Sequence, residues 1–238
     1  MKKIISFTTI PTRIQSIKPM VDSILNQTLT PDEIILWLPD EYKRIKTKTN
    51  EIPDFIRDSN IRVELCQDMG PFTKLYYALK KEWLNKETII VTVDDDVYYP
   101  PKWFEGLVRQ SIKKPNMAIG YRGRILNDKL DYNSSKKLLG APTKRPVKVD
   151  VITGNWGALY KPKFFDEGIF NPEIIYSNLF VDDIWITGNL SKNKIKKIIL
   201  KNIGIRPILE IHEIDSLWSL NKSGSNNDKM LEYFKGVI

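Results

Sequence analysis

The first 115 residues alternate short apolar runs with longer stretches in which apolar positions recur every three or four residues. Residues 3–8 form a compact β-type run, and residues 14–25 place Ile14, Ile17, Val21, Ile24 and Leu25 along one face of a helix. Residues 33–38 predict a second strand, closed by Pro39-Asp40, and residues 60–65 a third. A helix over 70–84 turns Leu75, Ala78, Leu79 and Trp83 inward. Residues 88–93 are β-branched almost throughout, which suits a strand buried on both faces at the centre of a parallel sheet. A helix over 101–113 follows, with proline in its first turn, where the missing N–H costs nothing. This βαβα order predicts an α/β fold with a mostly parallel central sheet flanked by helices.

Beyond Pro115 the pattern shortens. β-like pieces over 117–121 and 147–152 surround a polar, lysine-rich loop over 127–145, and a short helical pattern over 184–190 follows the apolar residues 179–181. Basic residues alternate with isoleucine and leucine over 192–201, which reads as a strand or sheet edge with a solvated basic face, or else as a membrane contact. The Ser, Asn and Gly of 222–228 mark a loop, either a lid or a surface turn, before a last helical pattern over 229–234. No linker or repeat divides the chain, so residues 1–238 are expected to form one domain of two halves, 1–115 and 116–238.

Composition narrows the class. A hydrophobic fraction of 42% and a charged fraction of 28% suit a folded globular chain. The formal charge of +8 would attract nucleic acid, anionic lipid or a phosphorylated small molecule. Cys66 is the only cysteine, which rules out an intrachain disulfide and fits a reducing compartment. The start, Met1-Lys2-Lys3 before Ile4, Ile5 and Phe7, imitates a secretion signal, but Pro11 and Arg13 interrupt it. No run approaches the ~20 apolar residues of a membrane span. A cytoplasmic location is expected, with peripheral membrane contact open to the basic charge.

Candidate chemistry centres on Asp94-Asp95-Asp96, at the end of the run 88–93. Open α/β sheets bind ligands at the carboxyl ends of their strands. Because successive strand residues point to opposite faces, Asp94 and Asp96 are expected to project to one side with Asp95 opposed. Such a D-x-D pair can grip Mg2+ or Mn2+, ions that prefer oxygen ligands and keep positions open for phosphate. A solvated acidic turn is the alternative.

Four segments share an order and spacing with a known family. They are Thr8-Thr9-Ile10-Pro11-Thr12-Arg13 after the first strand, Asp68-Met69-Gly70-Pro71-Phe72-Thr73-Lys74-Leu75 before a helix, the triplet with Tyr99-Pro100, and Val181-Asp182-Asp183-Ile184-Trp185. Together they resemble bacterial nucleotide-sugar glycosyltransferases of the GT-A fold, closest to the large inverting class related to family two. The resemblance spans residues 4 to about 212. It implies a Rossmann-like half, 1–115, that binds a nucleoside diphosphate sugar, foremost a UDP-sugar. Residues 116–238 would receive a glycan or glycolipid acceptor, with Mn2+ or Mg2+ as cofactor and no nucleic acid as partner. Polysaccharide or lipooligosaccharide assembly is the family's setting, which no residue here specifies.

Roles follow residue by residue. The resemblance makes Asp96 the metal ligand, with Asp94 reaching the ribose or bridging to the metal, and Asp95 doing either or supporting the loop. Lys74, at a helix start, could face ribose or diphosphate with the helix N-terminus adding positive potential, or be a surface cation. Arg13 has the same two readings, and Thr8, Thr9 and Pro11 complete the donor segment. Asp68 could bind the nucleoside or cap the helix at Gly70. Of the adjacent acids, burial would raise the pKa of one toward the range useful in proton transfer. The resemblance makes Asp183 the base and Asp182 its support; helix capping suits both equally. Gly154-Asn155-Trp156-Gly157 resembles the segment bordering donor sugar and acceptor, with the Trp156 indole stacking on a sugar or serving as core. His212, the sole histidine, lies where the family's carboxyl-terminal metal ligand is expected. The pair is Asp-Asp where the family commonly has Glu-Asp, and its downstream basic signature is not evident.

Other classes fit less well. A sugar-phosphate nucleotidyltransferase carries a glycine-rich loop after its first strand, and residues 8–13 hold no glycine. A nonenzymatic basic carbohydrate- or nucleic-acid-binding module leaves the acids unexplained. A metal-dependent nuclease would use clustered acids for two-metal chemistry.

Overall fold

Alternating side chains along the strands divide the core between the two faces of one sheet. The computed structural model describes residues 1–43, 47–48, 51–128, 131–177, 181–212 and 226–238, with side chains for all of these except 47, 48, 211 and 212. Its eight-stranded sheet comprises β1 (Lys3–Thr8), β2 (Glu33–Pro39), β3 (Ile61–Cys66), β4 (Ile89–Thr92), β5 (Met117–Gly120), β6 (Val147–Lys148), β7 (Ala158–Tyr160) and β8 (Lys196–Ile199). Their spatial order is β6-β8-β5-β7-β4-β1-β2-β3. Strands β1 to β4 run parallel, and β8 runs parallel to β5. Only β7, between β4 and β5, and β6, at the edge, pair antiparallel. The sheet is mostly parallel, as the pattern predicts.

Among the described residues the helices of eight residues or more are α1 (Lys18–Leu25), α2 (Thr73–Glu82), α3 (Trp103–Lys113), α4 (Asp182–Lys192) and α5 (Asn226–Tyr233). Ile5, Ile34, Leu36 and Val91 pack with Val21 and Ile24 of α1 and Trp103 and Leu107 of α3. Ile4, Ile35 and Ile90 point the other way, toward Leu75 and Leu79 of α2, Ile184 of α4 and Leu231 of α5. Each fully buried aliphatic side chain stabilises the fold by roughly 1.5–3 kcal/mol relative to exposure. The same alternation leaves the carboxyl ends of β1 and β4 side by side, and that edge carries the acids.

Three expectations change. The helix predicted from residue 14 begins at Lys18, because Pro19 in its first turn removes an N–H there; Ile14 and Ile17 are buried all the same. The 70–84 pattern is a short 3-10 turn, Gly70–Phe72, followed by α2. The solvated basic face over 192–201 is overturned at Lys197. Strand β8 is covered by β5 and β6, and Lys197 is buried, donates to Ser191, and has its pKa pushed down to about 8 by burial. Of the expected loop and helix near the carboxyl end, residues 222–225 lie outside the described residues, and the helix begins earlier, at Asn226.

Candidate active site

Strand β4 ends at Thr92, and the three aspartates turn away from it before Val97–Tyr98. Strand alternation therefore stops short of them. Asp95 and Asp96 both meet Arg13, whose Nη1 lies 2.9 Å from Asp95 Oδ1 and 3.6 Å from Asp96 Oδ2. Thr9 Oγ1 donates to the other Asp95 oxygen at 2.6 Å. Asp94 turns instead to α2, where Lys74 Nζ donates to Oδ1 at 2.6 Å. The expected grouping of Asp94 with Asp96, opposite Asp95, is thus not the one the turn produces. Burial, with the charge of Asp96 added, raises the Asp95 pKa against the opposing pull of Arg13 and Thr9.

Lys74 joins the two ends of the site. Its side chain is 6% exposed and sits 2.6 Å from Asp94 and 3.4 Å from Asp182 Oδ2. Burial alone would drive its pKa down, but the two carboxylates outweigh it and hold the ammonium above its ordinary value. The surface-cation reading of Lys74, like that of buried Arg13, is excluded.

Neither aspartate at the start of α4 caps that helix. The N-cap position is Val181, with no side-chain cap. Asp183 Oδ1 accepts instead from the Gly154 N–H at 2.8 Å. Gly154 is a glycine of close approach, since a Cβ there would press on Asp183 Oδ1 at 3.3 Å. Burial, then the adjacent charge of Asp182, pushes the Asp183 pKa up to about 7, against the Gly154 hydrogen bond and Lys74.

The remaining predicted residues divide. Thr8 Oγ1 donates to the Trp37 carbonyl at 2.8 Å, and Pro11 is buried in the turn that leads to Arg13. Asp68 gives one oxygen to the Gly70 N–H at 2.8 Å and the other to the Lys43 N–H at 2.9 Å, so backbone engages both. Trp156 is only 8% exposed and lies in the core, its carbonyl accepting from Trp103 Nε1 at 3.0 Å. Gly157, at φ +87°, lies against the Trp103 ring, which leaves no room for a side chain. The side chain of His212 lies outside the described residues. The backbone before it is tied to the triplet, however: Ile208 N–H donates to the Asp96 carbonyl at 2.7 Å, and Arg206–Pro207 pairs with Val97–Tyr98.

Two residues were not singled out from the sequence. Tyr99, buried, accepts from the Asp94 N–H at 2.9 Å and donates to the Asn155 carbonyl at 3.1 Å, stapling the triplet to the Gly154 segment. Arg122 stands beside Trp156, with its guanidinium 5.7 Å from the ring centroid. Tyr99-Pro100 was visible as a motif; nothing in the spacing marked Arg122.

Among the described residues no group of three or more His, Cys, Asp or Glu is gathered to hold a metal ion. The donor chemistry still suits a hard divalent cation. Carboxylates of Asp94, Asp95, Asp96, Asp182 and Asp183 outnumber the cations paired with them, Arg13 and Lys74. Two of these acids are pushed toward protonation, a state that added positive charge would relieve.

A mostly parallel sheet with acids at its carboxyl edge defines a ligand-binding α/β domain. Residues 9–165 match the family model described as glycosyl transferase family 2, and the chain belongs to that family. The matched region holds the triplet, Lys74 and Gly154, and ends before Asp182. Similar solved structures include S. aureus TarS 1-349, at 13% identity and a TM-score of 0.49, covering 85% of this chain and 58% of that one. S. aureus TarS also matches at 14% identity and a TM-score of 0.50, covering 85% of this chain and 35% of that one. The chain thus spans less than two thirds of either, and the fold is of the GT-A type. Among curated proteins none matches the sequence.

Proposed function

We propose that this protein is a hexosyl-type glycosyltransferase. It moves a sugar from a nucleoside diphosphate donor, foremost a UDP-sugar, to a hydroxyl of a glycan or glycolipid, by direct displacement with inversion. The observation that carries this reading is the Lys74 bridge, which brings the acids at the end of β4 and the acid pair of α4 to one ammonium. Family membership sets glycosyl transfer ahead of nucleotidyl transfer, nuclease chemistry and simple binding.

In this mechanism Asp183 accepts the proton of the acceptor hydroxyl, whose oxygen forms a bond to the anomeric carbon as the bond to the diphosphate breaks. A base with a pKa near 7 is matched to that task. Asp182 holds Lys74 at hand, and Lys74 opposes the charge that develops on the departing diphosphate. Asp96 would hold Mn2+ or Mg2+, which when bound neutralises the diphosphate, and Asp94, turned toward Lys74, would reach the ribose or bridge to the metal. His212 is retained as a further candidate ligand. Arg13 and Thr9 fix Asp95 and so the turn; with Thr8, Pro11 and Asp68 they form the donor side, while Gly154 to Gly157 border the sugar. No described helix is long and apolar enough to cross a membrane; a cytoplasmic protein resting on the membrane through its basic charge is part of the proposal.

Thermal-shift titration with UDP, GDP, CMP and dTDP compounds, with and without Mn2+, tests it, because a ligand selective for the native state raises the transition temperature. One nucleotide should bind better with Mn2+, and Asp96→Ala should remove that gain. An Asp96→Ala titration identical to the parent's would remove the metal assignment.

A further inference from the structure

The edge of the sheet opposite the acids carries cations that the fold leaves unpaired. Strand β7 is antiparallel to both β4 and β5, so these two run the same way as β1 and β8, and all four begin along one edge. There Lys3 stands beside Ile89 and Lys196 beside Met117. The turns entering the strands meet at this amino edge: Leu84 to Lys86 before β4, Lys113-Lys114 before β5, and Lys194 before β8, with the Lys114 carbonyl accepting from the Met117 N–H at 3.2 Å. The nearby acids are taken. Asp32 pairs with Lys3, Glu33 with Lys2 and Lys81, Glu82 with Lys2, and Glu87 with Lys161 and Lys163. Lys86, Lys113, Lys114, Lys194 and Lys196 are exposed and enter no ion pair among the described residues. Two aliphatic tips stand with them, Leu84 at 90% exposure and Ile112 at 63%, and Lys86 Nζ lies 3.8 Å from the centroid of the half-buried Trp83 ring.

Lys194 supplies an independent sign. It follows α4 at φ 56°, and the Ile195 N–H after it returns to the Leu190 carbonyl at 2.8 Å, closing a helix-ending turn whose left-handed position favours glycine. Lys194 is the one residue other than glycine with a positive φ among the described residues, so the chain keeps a charge here at a cost in stability. A nucleic acid would use the lysines and leave Leu84 and Ile112 in water. An anionic bilayer uses both, headgroup phosphates meeting the lysines while the aliphatic tips and the indole enter the acyl boundary. We propose that the amino edge of the sheet, from Lys194 to Lys86, docks on an anionic membrane surface. This rests on the membrane contact included in the reading above, gives it a face, and is independent of the transfer chemistry. Strand β1 spans six residues, so the acids at its far end stand roughly 20 Å from the bilayer and face water, open to donor and acceptor.

The test is sedimentation of the full chain with phosphatidylcholine vesicles, with and without phosphatidylglycerol, beside titration with a single-stranded oligonucleotide. Vesicles containing phosphatidylglycerol should bind the chain, and pure phosphatidylcholine should not. Each lysine at such a surface is worth about fivefold, so Lys113→Gln combined with Lys114→Gln should weaken binding by about 25-fold. Leu84→Gln should weaken it by about tenfold through the loss of an inserted aliphatic group. Lys18→Gln removes an exposed charge on the side of the acids and should leave vesicle binding unchanged. Lys194→Gly should raise the thermal midpoint of unfolding and yet weaken vesicle binding by about fivefold. Equal binding to both vesicle types, or parent-level binding by the Lys113 and Lys114, Leu84 or Lys194 variants, overturns the proposal. Oligonucleotide binding tighter than vesicle binding and indifferent to Leu84→Gln makes the face a polyanion site and overturns it as well. Sedimentation needs no donor, so a chain that binds vesicles but no nucleotide loses the transfer reading and keeps this one.

Discussion

Asp95 and Asp183 are both buried carboxylates with raised pKa values, yet their surroundings differ in kind. Asp95, in the first half, is held by a guanidinium and a hydroxyl. Asp183, in the second, is held by one backbone N–H, and Lys74 acts on it at a distance, its ion pairs among the described residues being with Asp94 and Asp182. Contact with a cation and a hydroxyl engages both oxygens of the first and ties two loops together, although burial raises its pKa to about 6. Partial satisfaction leaves the second able to exchange a proton near neutrality. Burial alone does not make an acid reactive; the partners decide.

The sharpest break in this comparison comes from Asp183→Asn. Transfer should fall by about 10²–10⁴-fold, the usual worth of a positioned base, while nucleotide titration stays near the parent's. Normal turnover in that variant would take Asp183 out of the role. Asp95→Asn should do the reverse and cost about 1.5–3 kcal/mol of stability, because it removes the nearer carboxylate and leaves Arg13 with Asp96 at 3.6 Å. Urea unfolding reads that loss, and an unchanged midpoint would make the pair dispensable.

The pH dependence sharpens the same contrast. Asp183 works ionised and its pKa is about 7, so transfer should rise roughly tenfold per pH unit below 7 and level off above it. Its raised pKa also means the folded state holds the proton more tightly than the unfolded one. Its contribution to stability is therefore full below the ordinary carboxylate range and lost as pH rises to about 7, a slope that Asp183→Asn should remove. A rate profile flat from pH 5 to pH 8 would contradict the first, and the same pH slope of unfolding free energy in parent and Asp183→Asn the second. The smallest effect is expected from Tyr99→Phe, which unlinks Asp94 from Asn155 and should cost about 1–2 kcal/mol. A matching loss of transfer would show that the staple also sets the distance between triplet and base.

Much of the fold was legible because period-two and period-3.6 patterns are local. The run over 3–8 coincides with β1, and the apolar face of 14–25 is buried even where its first turn is not helical. Where the reading failed, a tertiary neighbour intervened. Lys197 is buried where its side chain meets Ser191 of α4, and the triplet lost its alternation because Arg13 and Lys74 approach it from different elements. Gly157 marks contact with Trp103, a partner no spacing could announce.

The sequence by itself determined the alternation of strands and helices, the placing of acids at the end of a buried strand and the supply of a second acid pair downstream, since each follows from residue type and short-range period. Only the tertiary structure decided which carboxylate each cation takes, that the aspartates of α4 do not cap their own helix, and that Tyr99 staples the triplet to the Gly154 turn. Pairing and desolvation depend on distances between segments far apart in the chain, and those distances exist only once the core has closed.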